Sequence, residues 1–442
     1  MLSPERQTAM NSGADRWPGE SWYQAEAGGC NWPALDGDRR CRVAVVGGGL
    51  AGISTAVGLI ERGMSDVYVL DAGEPGAGAS GRNGGFVFAG YSLGNDALID
   101  QVGEDKAARL HGYTRETVAV IRERIERYRI DCQVNDAGVV LADWFDEPET
   151  LQAMAERMRA RLGFELAWIP AAEMDDWVGS SRYGGGLFEP GSFHFHPLRH
   201  IRGLSAVIEA GGGGVFGRSG VRSIRKARSG WRVDTGQGRL EAEQVVLATG
   251  GYDRRLAPTI QRALHPVATY IAVTEPLGER LGDHLPRPVA VYDTRFAFDY
   301  YRPLPDTRLL WGGRISMAGR SPAAIRRLMR RDLARVFPAL GEVRLDYAWG
   351  GWMSYARHEM PLLGRTGDGL WYALAFGGHG MATTTLAGEV MAEALCGDGQ
   401  RLAEFERWRP VWAGGILGRA VGQGIYWRAQ LRDLWRDRTR RL

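Results

Sequence analysis

The sequence predicts an α/β protein in which a parallel, helix-covered sheet is interleaved with a second, mostly antiparallel sheet. Three observations carry this expectation. The strand "RVAVV" from Arg42 enters "GGGLAG" and a helix, and "VYVL" follows as the next strand, a βαβ beginning. Residues 267–315 alternate as strands without intervening helices, in "YIAVTEPL", "FAFDYYRPL" and "RLLWGGR". Strand and helix then return together in "LWYALAF" (370–376), the turn "GGHG" and a helix from Met381 to about Leu395.

Residues 1–40 show little periodicity but hold Trp17, Trp22, Tyr23 and Trp32, and they read as an arm lying on the body of the protein. In the helix after "GGGLAG", Ile53, Val57 and Ile60 share one face, and Asp71 closes the strand that follows. Polar helices come next, "RETVAVIRERIERYRI" (115–130) and "LQAMAERMRARL" (151–162), the second with Leu151, Met154, Met158 and Leu162 on one stripe. A β pattern over 215–250 finishes in "QVVLATGG" (244–251). The helix "AAIRRLMRRDLARVF" turns Ile325, Leu328, Leu333 and Val336 inward and its arginines to solvent. In the tail, "YWRAQLRDLWRDRTRRL" puts Trp427, Leu431, Leu434 and Trp435 on one stripe, which is expected to dock on its own domain or a dimer partner rather than on a membrane surface. Two interleaved units result: a parallel α/β unit from about 41–95, 190–260 and 355–442, and one richer in antiparallel strands from 96–189 and 261–354.

The 442 residues can bury a sizeable core, and a net charge of +3 gives no pull toward nucleic acid. Only Lys106 and Lys226 are lysines, so an arginine, not a lysine, supplies nearly every cation. Cysteines 30, 41, 132 and 396 show no metal-binding spacing and suit a reducing cytosol. No signal peptide or membrane span is evident, since no apolar run approaches roughly 18 residues.

Gly47, Gly49 and Gly52 form G-x-G-x-x-G between a strand and a helix. The first allows the tight turn, the second the approach of a diphosphate, the third the packing of helix on strand, while free N–H groups at the helix start meet negative charge. Asp71 supplies a carboxylate for a ribose hydroxyl. A second glycine turn, "GASGRNGG", follows at once, in which Arg82 and Asn83 can hydrogen-bond a diphosphate or ring edge and Gly84 and Gly85 admit a planar ring. A third, "GGHGM" (377–381), opens a late helix whose positive end can stabilise charge on a reduced flavin. Several backbone cradles for one long ligand suit FAD better than NAD.

With "VVGGGLAG", the acidic strand end, "GASGRNGG", "ATGG" and "GGHG", the chain resembles the D-amino-acid oxidase-type FAD-dependent oxidoreductases. "SWYQAEAG", "GASGRNGGFV", "RERIERYRIDC", "HFHPLRH", "FDYYRPLPDTRLLWGG" and "GGHGMATTTLAGEVMAEAL" are similar to the branch that oxidises gamma-glutamylputrescine. The resemblance implies a Rossmann-type FAD-binding domain with an interleaved, mostly antiparallel substrate domain. It implies FAD contacts at Gly47, Gly49, Leu50, Ala51, Gly52, Asp71 and Ala72, and at Ala79, Ser80, Arg82, Asn83, Gly84 and Gly85. Val221 would meet the adenine, Thr249 and Gly250 would line the same side, and Gly378, His379, Gly380 and Met381 would face the flavin pyrimidine. In relatives that tether flavin, a cysteine stands in the segment matching "GGWMSYARHEMP"; none stands there, so noncovalent FAD is expected.

In glycine oxidase-like members an arginine near Trp352 grips the α-carboxylate, and Met353 stands about there instead. That favours a primary or secondary amine, gamma-glutamylputrescine or a related polyamine, oxidised to an imine. Arg357 can compensate, which keeps N-methyl or D-amino acids open, and a flavin-bearing subunit without chemistry is the reading of another class. Tyr270, Tyr300, Tyr301, Arg302, Trp352, Met353 and His379 are the candidates for the substrate pocket. His194 and His196 in "SFHFHP" fall on one strand face, with a structural role favoured. His379 or Arg302 is the expected cation for reoxidation by O2, with a quinone as the other acceptor.

Overall fold

Val43, Ala44, Val45 and Val46 form a continuous apolar run, the pattern of a strand buried on both faces. In the computed structural model, which describes residues 20–253 and 255–439, they complete β1 (Gly37–Val46). β1 lies parallel between β2 (Val67–Leu70) and β3 (Gly238–Leu247), with Val46 opposite Leu70 and Leu247. Gly214–Phe216 extends the sheet beyond β2, and Trp371–Leu374 extends it beyond β3, both in parallel. The hairpin 223–234 and the edge strand Leu362–Arg365 are antiparallel additions.

Helix α1 (Leu50–Glu61) covers this sheet, and α2 (Glu104–Arg127) and α3 (Gly380–Leu395) pack beside it. Gly388 lets α3 approach closely, since a Cβ there would stand 2.4 Å from Ser54 Cβ. Arg124 of α2 is buried between the helices and donates to Glu61 of α1 at 2.5 Å and to Glu389 of α3. Leu98, Leu110 and Ile121 therefore join the core of the parallel sheet. The 96–189 stretch expected in the second unit therefore divides: α2 packs against α3 and the parallel-sheet core, while 139–142, 167–170 and 185–189 join the second sheet.

The second sheet contains β4 (His265–Thr274), β5 (Asp299–Pro303) and β6 (Leu345–Tyr355). Its order is β6, β4, Leu309–Ser316, β5, Ala290–Asp293, Val139–Ala142, Gly185–Glu189, Ala167–Pro170, antiparallel except at the join of 139–142 with 290–293. The helix Pro322–Val336 seals its far face with Ile325, Met329, Leu333 and Val336.

The arm and the tail both meet the second sheet's side. Ser21 caps a short helix, Trp22–Ala27, whose Trp22 and Tyr23 are buried, while Trp17 lies outside the described residues. The tail forms α4 (Gly415–Thr439). The apolar stripe does not dock on its own domain: Trp427, Leu431, Leu434 and Trp435 are 60 %, 66 %, 46 % and 67 % exposed. The inner face is polar, because backbone N–H groups beneath it need acceptors. Met317 N–H donates to Gln423 (3.0 Å), Ile315 N–H to Tyr426 (3.1 Å) and Phe296 N–H to Asp433 (2.9 Å).

Candidate active site

The three glycine turns open onto one cavity of about 2430 Å³, walled by both sheets and the tail. That is well above the roughly 300–1,000 Å³ of an ordinary small-molecule site. In the first turn Gly47 stands at φ +115°, where a Cβ would lie 2.4 Å from Ala248 O. Gly47, Gly49, Leu50 and Ala51 line the cavity. Gly52 does not; a Cβ there would lie 2.0 Å from Gly47 O, so its part is the packing of helix on turn rather than ligand contact. Asp71 also lines the cavity, beside Ala72 and Val221, and its carboxylate already accepts from Gly48 N–H (2.7 Å) and Gly73 N–H (2.8 Å). Burial pushes its pKa up, and these two donors oppose the rise.

The second turn is braced from outside. Asn83 donates to Ser80 O (2.7 Å) and Ala79 O (3.2 Å) and accepts from Gly85 N–H (2.8 Å), so its amide holds the loop closed. Arg82 donates to Gly350 O (2.9 Å) and Gln24 (3.1 Å) and ties the loop to β6 and the arm. Both line the cavity with Ala79, Ser80, Gly84 and Gly85, yet these bonds turn the two side chains toward loop architecture. Gly85 stands at φ +78°, with Phe195 O only 2.2 Å from where a Cβ would be.

The third turn begins at Gly377, at φ +60° against Ser92, whose hydroxyl accepts from Gly378 N–H (2.9 Å). His379 caps α3 without a side-chain bond to its first-turn N–H groups, and Gly378, His379, Gly380 and Met381 all line the cavity. The His379 ring meets Phe88 edge-on at 5.0 Å, and burial lowers its pKa to about 4. With that pKa the imidazole is neutral at pH 7, so positive potential at this turn comes from the α3 N-terminus.

β5 divides the remaining candidates by simple alternation. Tyr300 lines the cavity, but Tyr301 faces the opposite core, stacked on Trp311 at 4.6 Å with its hydroxyl donating to Tyr183 (3.1 Å). Tyr270 of β4 is likewise core, donating to Ala318 O (2.7 Å), whereas its neighbour Thr269 reaches the cavity. Arg302 sits behind the second turn, 2 % exposed, and donates to Gly84 O (2.6 Å), Phe195 O (2.9 Å) and Tyr23 (3.1 Å). It is a brace, not a substrate clamp. Trp352 and Met353 of β6 line the cavity, as do Thr249 and Gly250 after β3.

Sequence reasoning missed Phe88, Ser92, Tyr252, Tyr292, Arg295 and Arg419, which also line it. Tyr252 was within reach, because it follows "ATGG" directly. Arg295 and Arg419 lie in no motif and arrive through the fold.

His194 and His196 are buried supports. His194 Nε2–H donates to Pro288 O (3.1 Å), leaving Nδ1 to accept from Arg302 (3.4 Å). Burial, reinforced by nearby arginines, lowers His194, His196 and His200 to about 3, and His111 to about 4. With His379, these imidazoles take up protons near pH 6.5 when unfolded but not when folded, so stability is lost as pH falls from 6.5 toward 4. Glu189, pushed up to about 7 by burial, and Asp299, up to about 6, act in the opposite sense, as do the raised carboxyls of Asp71, Asp143, Glu209, Glu359 and Asp433; these start from ordinary values below about pH 5, so the imidazoles dominate between pH 7 and 5. Thermal melts are expected to show a Tm several degrees lower at pH 5 than at pH 7; an unchanged or higher Tm would contradict these assignments.

The cavity fits a long dinucleotide with a planar ring. Its turns exclude side chains where a backbone must approach phosphate, and two helices point their first turns into it. Thr249 Oγ1 and His379 Nδ1 are buried there without protein partners. These features define an FAD-dependent oxidoreductase. The family model "FAD dependent oxidoreductase" matches residues 42–394, and the chain belongs to that family. It is 35% identical over 388 residues to the gamma-glutamylputrescine oxidoreductase of Escherichia coli (strain K12), covering 87% of this chain and 91% of that one. Glycine oxidase from Geobacillus kaustophilus has a similar structure, with a TM-score of 0.68 at 22% identity over 80% of this chain and 94% of that one. L-proline dehydrogenase from P. horikoshii also gives 0.68, at 17% identity over 82% and 94%.

Proposed function

We propose that this enzyme oxidises an amine C–N bond, with gamma-glutamylputrescine or a related polyamine as substrate, in polyamine catabolism. The amine R–CH2–NH2, O2 and water give the aldehyde, ammonia and H2O2. The carrying observation is the wall beside the second turn: Tyr300, Trp352 and Met353 face the cavity while Arg302 is committed to Gly84, Phe195 and Tyr23. An α-carboxylate held next to the reacting carbon would need a guanidinium there. The likeness to a gamma-glutamylputrescine oxidoreductase supports the same substrate class.

FAD, when bound, supplies the acceptor for the hydride that leaves the amine's α-carbon. Gly47, Gly49, Leu50 and Ala51 would hold its diphosphate, Asp71 a ribose hydroxyl, and Val221, Thr249 and Gly250 the adenine side. Ala79–Gly85 and Gly378–Met381 would hold the ring region, where the α3 N-terminus provides positive potential in place of a cationic His379. Cys30, Cys41, Cys132 and Cys396 are unpaired and none lines the cavity, which supports noncovalent binding and a reducing cytosol. Among the described residues no helix is long and apolar enough to cross a membrane. Quinone is the alternative acceptor, and the outward face of α4 is the surface through which two copies would associate.

The test is anaerobic addition of gamma-glutamylputrescine, putrescine, sarcosine and D-alanine to the FAD-loaded enzyme. The flavin band is expected to bleach with the first two, at least 10-fold faster for gamma-glutamylputrescine, and H2O2 to appear when air is admitted. Bleaching by the α-amino acids alone would overturn the reading.

A further inference from the structure

We infer that Arg357 and Arg419 form a carboxylate subsite at the cavity mouth, holding the far, acidic end of a substrate whose amine lies beside Tyr300 and Trp352. This rests on the reading of the site as an amine-oxidising centre. Arg357 follows β6 and Arg419 belongs to α4, and both line the cavity. Both lie near His265: Tyr355, two residues before Arg357, pairs with it across β4 and β6, and Gly418, next to Arg419, packs on its ring. Burial lowers the His265 pKa most, a backbone bond with Ala413 opposes this, and the two guanidinium groups lower it further. The tail is in contact there, since a Cβ on Gly418 would lie 2.9 Å from His265 Cε1. Arg419 is oriented by one bond, from Nη2 to Met317 O at 2.7 Å, which leaves the rest of its fork for a ligand.

What sets the pair apart is charge. Arg295 and Arg314 also line this half of the cavity, but buried acids neutralise them. Arg295 donates to Asp293 (2.8 Å) and Asp299 (2.7 Å), and Arg314 grips Asp332 through two bonds of 2.7 Å. Neither Arg357 nor Arg419 has an ion-pair partner among the described residues. Glu359 lines the cavity too, beside Tyr355, and no ion pair joins it to either arginine. Two guanidinium groups without a counter-ion at one mouth are built for an anion, and their planar forks favour a carboxylate.

The position selects the substrate. Trp352 pairs with Ala268 and Tyr355 with His265, so Arg357 lies more than three strand residues, about 10 Å, beyond Trp352, too far for the α-carboxylate of an amine reacting beside Trp352. The substrate therefore carries acid and amine at opposite ends. Arg419 also lies beyond residues 42–394, the span of the family model. The subsite is therefore half built from a tail outside the shared framework.

Two synthetic amines isolate the charge. N-glutarylputrescine and N-butanoylputrescine share the amide and the reacting amine, and only the first bears a terminal carboxylate. With the FAD-loaded full chain, kcat/KM is expected to favour the glutaryl compound by about 10- to 100-fold, mostly through KM. Arg357→Gln or Arg419→Gln should each cut that ratio several-fold, the double variant should bring it near unity, and Arg419→Lys should restore part of it. N-glutaryl-n-butylamine, which lacks the reacting amine, should inhibit competitively and lose affinity in step. Flavin absorbance and Tm confirm that each variant is folded; where the double variant is not, the single variants and this inhibitor decide. If the parent enzyme oxidises both amines with equal kcat/KM, or the variants slow both alike, the subsite does not exist and the amine reading stands. If the parent oxidises neither these amines nor gamma-glutamylputrescine, the amine reading falls and the subsite with it.

Discussion

Gly47→Val is expected to give folded but colourless protein, with FAD affinity reduced at least 1,000-fold, about 4 kcal/mol. Gly47 stands at φ +115°, a conformation that a β-branched residue adopts only under strain. The Cβ would press on Ala248 O at 2.4 Å and Ala248 C at 2.7 Å, so turn and β3 must separate where the diphosphate is to sit. Gly63→Ala is the control: Gly63 also has positive φ, at +80°, but a Cβ there meets nothing within 4 Å. It should lose about 1 kcal/mol of stability and keep its FAD. Titration of each apo variant with FAD, followed by fluorescence, measures both effects. A yellow Gly47→Val protein with undiminished affinity would show that this turn does not hold the cofactor.

Arg302→Met should destabilise the protein by about 3 kcal/mol or more and weaken FAD binding roughly 10- to 100-fold. The guanidinium joins Gly84 of the second turn, Phe195, Tyr23 of the arm helix and His194, all in the interior. Methionine fills the volume but leaves two buried carbonyls without donors, at about 1–3 kcal/mol each. Arg302→Lys should rescue little, because one ammonium cannot reproduce the fork that spans those acceptors. Urea unfolding and FAD titration, run on the same variants, separate bracing from substrate contact. A substrate clamp would instead raise KM in Arg302→Lys at unchanged stability, and that outcome would restore Arg302 to the pocket.

Much of the site was legible because it is built from backbone. Glycine is favoured where a turn takes positive φ and required where a Cβ would also strike backbone, so Gly47 and Gly85 stand out within their glycine-rich motifs. Side-chain roles were harder. "DYYRP" placed two tyrosines and an arginine together, and strand alternation then sent Tyr300 to the cavity and Tyr301 to the far core. Which of the two faces is the cavity depends on the partner strands, and a single strand does not encode that.

The tail shows the same division. Its amphipathic period was correct, yet the apolar stripe points outward, since the backbone N–H groups of Phe296, Ile315 and Met317 claimed the polar one. By itself the sequence determined the βαβ beginning, the three glycine turns and hence an FAD-binding chain, because local backbone geometry restricts which residues can stand there. Only the tertiary structure decided that Arg302 braces the second turn, that burial lowers the His379 pKa, and that Arg357 and Arg419 line one cavity. Those facts depend on burial and on partners distant along the chain, which no local pattern records.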